Sequence, residues 1–329
     1  AAVQTPEAEP QPKGNPQAPL ATLGAQGGLW AGDSPVTWTV GSVTVWDQAG
    51  REQVQTIRPG LEVYQVVSHG SRLALGGPGG SHIVELNTKT TRPVALDTKF
   101  GGLAFTPDGA HLIVAGADPA ISLVNAATGK IVRGVKTRLP IVQLAVSPDG
   151  ARVAAVLGAR RRAGRAIGTW SLPALEPLEW LEIDYPPSCL AYSPKGARLA
   201  YGDEAGRVVI LPAHDLAGKA QVLGRVLAEG ESLLPKALTK TAHIGRVGAV
   251  CFLTEGSLVS AGSRTPRKAG DSNDVCRWSA AGKLLGARLA TATRRYRSVA
   301  PSPDGRRLLL SCTTSEEVLL YRSEVLTAE

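Results

Sequence analysis

The chain has 329 residues, 43% hydrophobic and 19% charged, with a formal net charge of +8. This balance reads as a soluble globular chain, and no apolar run approaches the ~20 residues that a membrane helix requires. The length holds two ordinary domains or one large all-β domain, and the basic excess permits anionic partners without demanding one.

The first twenty residues, AAVQTPEAEPQPKGNPQAPL, hold five Pro and no aromatic residue. Such a segment cannot bury enough apolar surface to order itself, so residues 1–18 are predicted to be a flexible linker and 19–329 the folded domain. Met is absent throughout. An Ala-rich start before a Pro-rich linker fits a mature end left by signal cleavage, so export to a periplasmic or extracellular space is expected over the cytoplasm.

From there a strand–turn–strand unit recurs. LWAGDSPVTWTV offers a degenerate turn near Gly32, and VVSHGSRLALGG places one at Gly70. LAFTPDGAHLIVAG (103–116), LAVSPDGARVAAVL (144–157), LAYSPKGARLAYGD (190–203), AVCFLTEGSLVSAG (249–262) and VAPSPDGRRLLLSC (299–312) repeat it. Ser or Thr opens the turn, Pro presets φ at the second position, Asp or Lys follows and Gly closes it, which specifies a type I turn. LTEG lacks the Pro and is the weakest copy.

The turn glycines Gly109, Gly150, Gly196, Gly256 and Gly305 are spaced by 41, 46, 60 and 49 residues. Each unit continues with a third strand, a polar turn and a fourth strand, as in VTVWDQAGREQVQTI (43–57), ISLVNAATGKIVRGV (121–135) and DVCRWSAAGKLLGARL (274–289). Four short strands in roughly 40–45 residues is the signature of a propeller blade. The last unit has room for three strands, and PLATLGA (19–25) is predicted to supply its fourth. The expected fold is therefore all-β: one seven-bladed β-propeller of four-stranded antiparallel blades, closed by an N-terminal strand. Six blades with an irregular N-terminal piece is the alternative. The long segment at 212–242 is read as an extended outer strand pair in preference to an insertion.

At these residues the chain resembles the WD-repeat β-propeller family. Trp46-Asp47 is the namesake dipeptide, and AHIGRVGAVCF (242–252) matches the family's blade opening, with Ala242 where the family has Gly. The resemblance spans roughly residues 21–325 and rests on periodicity more than on any single motif. It implies that His243, Ser260 and Trp278 form a structural hydrogen-bond network, with Asp271 or Asp274 as the fourth member.

It also implies that the loops between second and third strands, and between blades, share one face, called the top. Five basic segments fall there: 133–139, 158–168, 235–246, 263–274 and 290–297. They carry 16 Lys or Arg against two Asp. Acids share that face in EIDYPP, GDEAG and TTSEE. The candidate partner-binding residues are Arg160, Arg161, Arg162, Arg165, Arg264, Arg267, Lys268, Arg294, Arg295 and Arg297. Arg suits the role because its planar fork holds a carboxylate or phosphate by two parallel hydrogen bonds. The bland alternative is a solvated, solubilising surface.

The four cysteines, Cys189, Cys251, Cys276 and Cys312, lie in apolar runs with no C-x-x-C pair, and the five His show no metal-ligand spacing. No phosphate-cradling loop or nucleophile elbow is present. No catalytic residue, metal or cofactor is therefore expected. The function expected is a noncatalytic platform for a protein or peptide partner, with an acidic segment the first candidate, and the chain is expected to be a monomer. Two competing readings stand: a lactonase- or hydrolase-like propeller enzyme acting at the central channel, or a binder of nucleic acid, glycan or lipid headgroups. Nucleic acid is disfavoured because only Tyr296 interleaves the basic residues.

Overall fold

The computed structural model describes residues 19–94, 100–116, 120–158, 164–226, 240–243, 245–262, 273–291, 295–312 and 315–326. They form a seven-bladed β-propeller, each blade a sheet of four antiparallel strands. Blade 1 comprises Gly27–Ala31, Ser34–Trp38, Val43–Trp46 and Gln53–Ile57; blade 2 comprises Gln65–His69, Arg72–Gly77, Gly80–Glu85 and Thr90–Pro93. Blade 3 comprises Phe100–Phe105, His111–Gly116, Ala120–Asn125 and Ile131–Lys136; blade 4, Ile141–Val146, Arg152–Gly158, Arg165–Ser171 and Pro177–Glu182. Blade 5 comprises Pro187–Tyr192, Arg198–Asp203, Val208–Pro212 and Gln221–Leu223; blade 6, Val247–Phe252, Leu258–Gly262, Asn273–Trp278 and Leu284–Thr291.

Blade 7 takes three strands from the end of the chain, Tyr296–Pro301, Arg307–Cys312 and Glu317–Arg322, and its outer strand from the start, Ala21–Gly24. The register runs from Ala21 opposite Leu320 to Gly24 opposite Glu317. Leu20 and Ala25 N–H groups extend it, donating to the Leu320 and Glu316 carbonyls at 2.7 Å each. This is the predicted closure, and it decides the blade count at seven. The first strand of each blade lies innermost and against that of the next, with blade 7 against blade 1.

The core sits between blades. Among the described residues the apolar side chains fall into seven clusters, one at each blade–blade interface. Blade 4 shows how a period of two builds this. Val153, Ala155 and Leu157 of its second strand face blade 3, while Ala154 and Val156 face blade 5. A strand buried on both faces has to be apolar at every position, which is why RVAAVLG and its equivalents read as continuous runs.

The Ser/Thr-Pro-Asp-Gly turns have a common hydrogen-bond pattern. Thr106, Ser147 and Ser302 donate their hydroxyls to Asp108, Asp149 and Asp304 at 2.6, 2.5 and 2.5 Å. The same hydroxyl oxygens accept the N–H of His111, Arg152 and Arg307. The closing glycine sits at positive φ, +66° at Gly109, where a side chain would be strained. Blades 1 and 2 turn differently. Ala31 pairs with Ser34 and His69 with Arg72, leaving two-residue loops with Gly32 and Gly70 first and at φ +56° and +58°. That is the arrangement of a type II′ hairpin. The LTEG turn is one residue shorter than its counterparts: Leu253 N–H donates to Ser257 O, whereas Ser147 N–H donates to Arg152 O.

The predicted extension of the fifth unit is not what the chain does with residues 212–242. The outer strand of blade 5 is only Gln221–Leu223, and Arg225–Val226 then pairs with Lys240–Thr241 as a separate two-stranded ribbon. Residues 227–239 lie outside the described residues.

Candidate binding face

Each first strand enters the ring from the top face, and in blades 3 to 7 it does so with an extra residue. In blades 3 to 7 the pairing of the first strand with the second slips between Phe100 and Gly102, Ile141 and Gln143, Pro187 and Cys189, Val247 and Ala249, and Tyr296 and Ser298. The bulged residues are Gly101, Val142, Ser188, Gly248 and Arg297. In blades 1 and 2 the equivalent positions are Gln26 and Tyr64, whose N–H groups donate to Trp38 O and Gly76 O at 2.8 Å. A bulge re-aims the side chain it carries. Because these strands are innermost, the seven positions ring the mouth of the central channel.

Three of them converge. Gln26, Tyr64 and Arg297 line a cleft of about 300 Å³ together with Val40, Cys312 and Glu316. The cleft thus spans blades 7, 1 and 2. Gln26 Nε2 donates to Glu316 Oε1 at 3.4 Å, and Tyr64 donates its phenol proton to Glu62 at 3.0 Å. That bond and the Glu62 charge raise the Tyr64 pKa. Glu316 is held at φ +49°, a left-handed conformation that costs a non-glycine residue about 1 kcal/mol or more. Its own carbonyl receives the Ala25 N–H, so ring closure holds it there. Cys312 is fully buried at the floor. Arg297 is exposed, and its guanidinium bonds no described residue. The cleft therefore offers a free cation, a carboxylate, an amide, a phenol and an apolar patch at Val40.

Of the ten basic candidates, Arg160, Arg161, Arg162, Arg264, Arg267, Lys268 and Arg294 lie outside the described residues. Arg297 is in the cleft. Arg295 is half-buried one residue before Tyr296, at the entrance to blade 7. Arg165 is in blade 4, across the ring, where Nη1 donates to Asp184 O at 2.8 Å. It ties the end of its blade to the connection leading into blade 5.

The acids of the top face also divide. Asp203 of the GDEAG segment is fully buried, receives Arg207 Nε at 2.6 Å and the N–H groups of Ala205 and Arg207 at 2.9 Å, and has its pKa raised by burial. Arg207 in turn lies 4.5 Å over the Tyr185 ring. This cluster shapes a loop. Glu316 of the TTSEE segment lines the cleft. Sequence reasoning missed Gln26, Val40, Tyr64 and Glu316; the available signal for Gln26 and Tyr64 was a polar or aromatic residue directly before the innermost strands of blades 1 and 2.

In blade 6, His243 Nε2 and Trp278 Nε1 both lie 2.8 Å from Ser260 Oγ. Asp271 lies outside the described residues. Blade 1 holds a reduced version in which Trp46 Nε1 donates to Thr37 Oγ1 at 2.8 Å. Asp47 there accepts the N–H of Arg51 at 2.6 Å and of Glu52 at 3.2 Å, which shapes the turn between the third and fourth strands.

Cys189 and Cys251 thiols are pushed up to about 12 by burial, which makes them inert at neutral pH. Among the described residues no three His, Cys, Asp or Glu side chains group as a metal site, and no helix is long and apolar enough to cross a membrane. No protein-family model matches this chain, and neither does any curated protein.

Proposed function

We propose that this chain is a WD-repeat-like, noncatalytic interaction platform that binds a segment of another protein across the cleft at the channel mouth. The observation that carries the reading is the convergence of Gln26, Tyr64 and Arg297, residues at the innermost-strand entrances of three blades, on one cleft of about 300 Å³. A rigid ring supplies the frame, and residues at the strand entrances supply the contacts. Arg297, which bonds no described residue, selects an acidic side chain or a terminal carboxylate. Tyr64 offers a flat contact surface at low entropic cost, and Gln26 and Glu316 fix backbone groups of the bound segment. The indole–hydroxyl pairs in blades 1 and 6 support the WD-repeat likeness.

Selection of binding peptides from a displayed library, followed by titration of the chosen peptides, tests this. Selected peptides should share an acidic residue. Their affinity should fall at least tenfold on Arg297→Glu and on Tyr64→Ala, with the fold intact by circular dichroism. Selected peptides that bind both variants as tightly as the original chain would overturn the assignment of the cleft.

A further inference from the structure

The outer strands of blades 3 and 4 are the same structure with opposite charge. In blade 3 Leu123 pairs with Arg133 and Ala120 with Lys136; in blade 4 Thr169 pairs with Glu179 and Ala166 with Glu182. Both strands skip one residue at the same place, Val132 and Leu178. Arg133 and Lys136 thus occupy the positions that Glu179 and Glu182 occupy in the next blade. The match continues beyond the strands, with Lys130 and Arg138 answered by Glu176 and Asp184.

Little of this charge is used within the chain. Arg138 lies 5.6 Å over Trp180, and Glu179 accepts the Leu216 N–H at 2.7 Å and faces Arg152 at 3.4 Å. The side chains of Lys130, Arg133, Lys136, Glu176, Glu182 and Asp184 form no hydrogen bond or ion pair with any described residue. The same two edges expose Ile131, Val132 and Leu178 at 46%, 57% and 43%.

An open, partly apolar edge strand invites pairing, and proteins usually blunt it. The other outer strands are blunted or neutral. Blade 2 ends its four-residue edge in Pro93, blade 5 has three residues and blade 7 has the short N-terminal strand; blade 1 exposes Val54 at 67% but carries no charge on Gln53–Ile57 to select a partner. In blade 6 the described outer-strand side chains, Leu284 and Leu285, carry no charge.

We propose that blades 3 and 4 form a self-complementary interface that joins two copies of this chain side by side. A two-fold axis parallel to the ring axis, placed at the rim between these blades, sets blade 3 of each copy against blade 4 of the other. Both basic edges then meet acidic edges, and one surface patch serves both partners, as a two-fold dimer requires. A two-fold axis along the rim tangent would instead set blade 3 against blade 3, like charge on like. Ile131, Val132 and Leu178 form the apolar centre, with the charges as its rim. In a ring of seven, blade 7 lies opposite the boundary between blades 3 and 4. The dimer therefore leaves both clefts open on one common face.

Charge exchange tests this by sedimentation. One variant carries Lys130→Glu and Lys136→Glu; the other carries Glu176→Lys and Glu182→Lys. The unaltered chain should sediment as a dimer at about 0.1 M salt and dissociate at about 1 M, where the screening length falls from about 10 Å to about 3 Å. Each variant alone should be monomeric, since its exchanged positions now face charges of their own sign. An equimolar mixture should recover the dimer mass as a heterodimer. A monomeric unaltered chain at low salt would overturn the proposal. So would variants that still dimerise alone, or folded variants that fail to recombine. If either double variant unfolds, the single exchanges Lys136→Glu and Glu182→Lys carry the same test.

Discussion

Trp278 donates its indole N–H to Ser260 Oγ at 2.8 Å, with the two residues 2% and 0% exposed. His243 Nε2 lies at the same distance from the same oxygen. Ser260 pairs with Cys276, two residues before the Trp, and in blade 1 Thr37 pairs with Thr44, two residues before Trp46. One hydroxyl on the second strand thus anchors one indole on the third, tying adjacent strands through side chains as well as backbone. In blade 4 the corresponding positions are Ala155 and Trp170, so the hydroxyl is missing there.

Ser260→Ala should lower stability by about 1–3 kcal/mol, because a buried indole donor loses its acceptor and no water replaces it. Thr37→Val should cost less, about 1 kcal/mol, because Trp46 is only half-buried and water can reach its N–H. Shifts in denaturation midpoint at unchanged transition slope measure both.

The turn aspartates make the ring acid-sensitive. Asp108, Asp149 and Asp304 have pKa values below the carboxylate norm, first through the neighbouring Ser or Thr hydroxyl and then through backbone N–H donors. A carboxylate whose pKa is depressed on folding adds stability above its unfolded pKa, and that stability is lost as pH falls through the folded value. The loss should therefore begin near pH 4 and deepen below it. The triple Asn variant should be less stable than the parent at pH 6, and the gap should close as pH is lowered toward 2. Taking the difference between the two proteins cancels the opposing effect of Asp203, whose pKa is raised.

Leu23 is the apolar anchor of the closing strand, 4% exposed and packed with Leu309, Val318 and Leu320. Leu23→Ala should cost about 2–4 kcal/mol by the usual cavity argument. Because this strand closes the ring by pairing with residues 317–320, the effect should be local. Amide exchange should accelerate in residues 317–322 and across blade 1, and stay unchanged in blades 3 to 5.

What was legible in the sequence follows from how strongly each local feature constrains its residues. The inner hairpins of blades 3, 4, 5 and 7 were legible because a type I turn favours Pro at its second position and Gly at its last, as at Pro148 and Gly150. Closure by residues 19–25 was legible because the last unit falls one strand short. The outer strand of blade 5 was not, since an outer strand packs on fewer neighbours and tolerates almost any sequence. Gln221–Leu223 carries no pattern that sets its length. The cleft was the least legible. Gln26, Tyr64 and Arg297 belong to three units, and each lies at a strand entrance, where it leaves the apolar alternation undisturbed. Charge density points to the basic runs instead, where Arg297 is one of ten candidate residues.

Arg165 and Arg297 separate the two kinds of top-face arginine. Arg165 spends its guanidinium on Asp184 O, so Arg165→Glu removes an internal bond and sets a new charge beside Asp184. It should lower stability by about 1–3 kcal/mol and leave peptide affinity within twofold. Arg297 bonds no described residue, so Arg297→Glu should leave the denaturation midpoint unchanged. It sets a second carboxylate in the cleft with Glu316, so an acidic peptide should be repelled and its affinity should fall at least tenfold. The salt dependence of the remaining binding should also reverse, since screening weakens an attraction but relieves a repulsion. Titrations of both variants at two salt concentrations, alongside their denaturation curves, check this. Equal loss of affinity in both would show that charge over the whole top face governs binding, in place of the cleft.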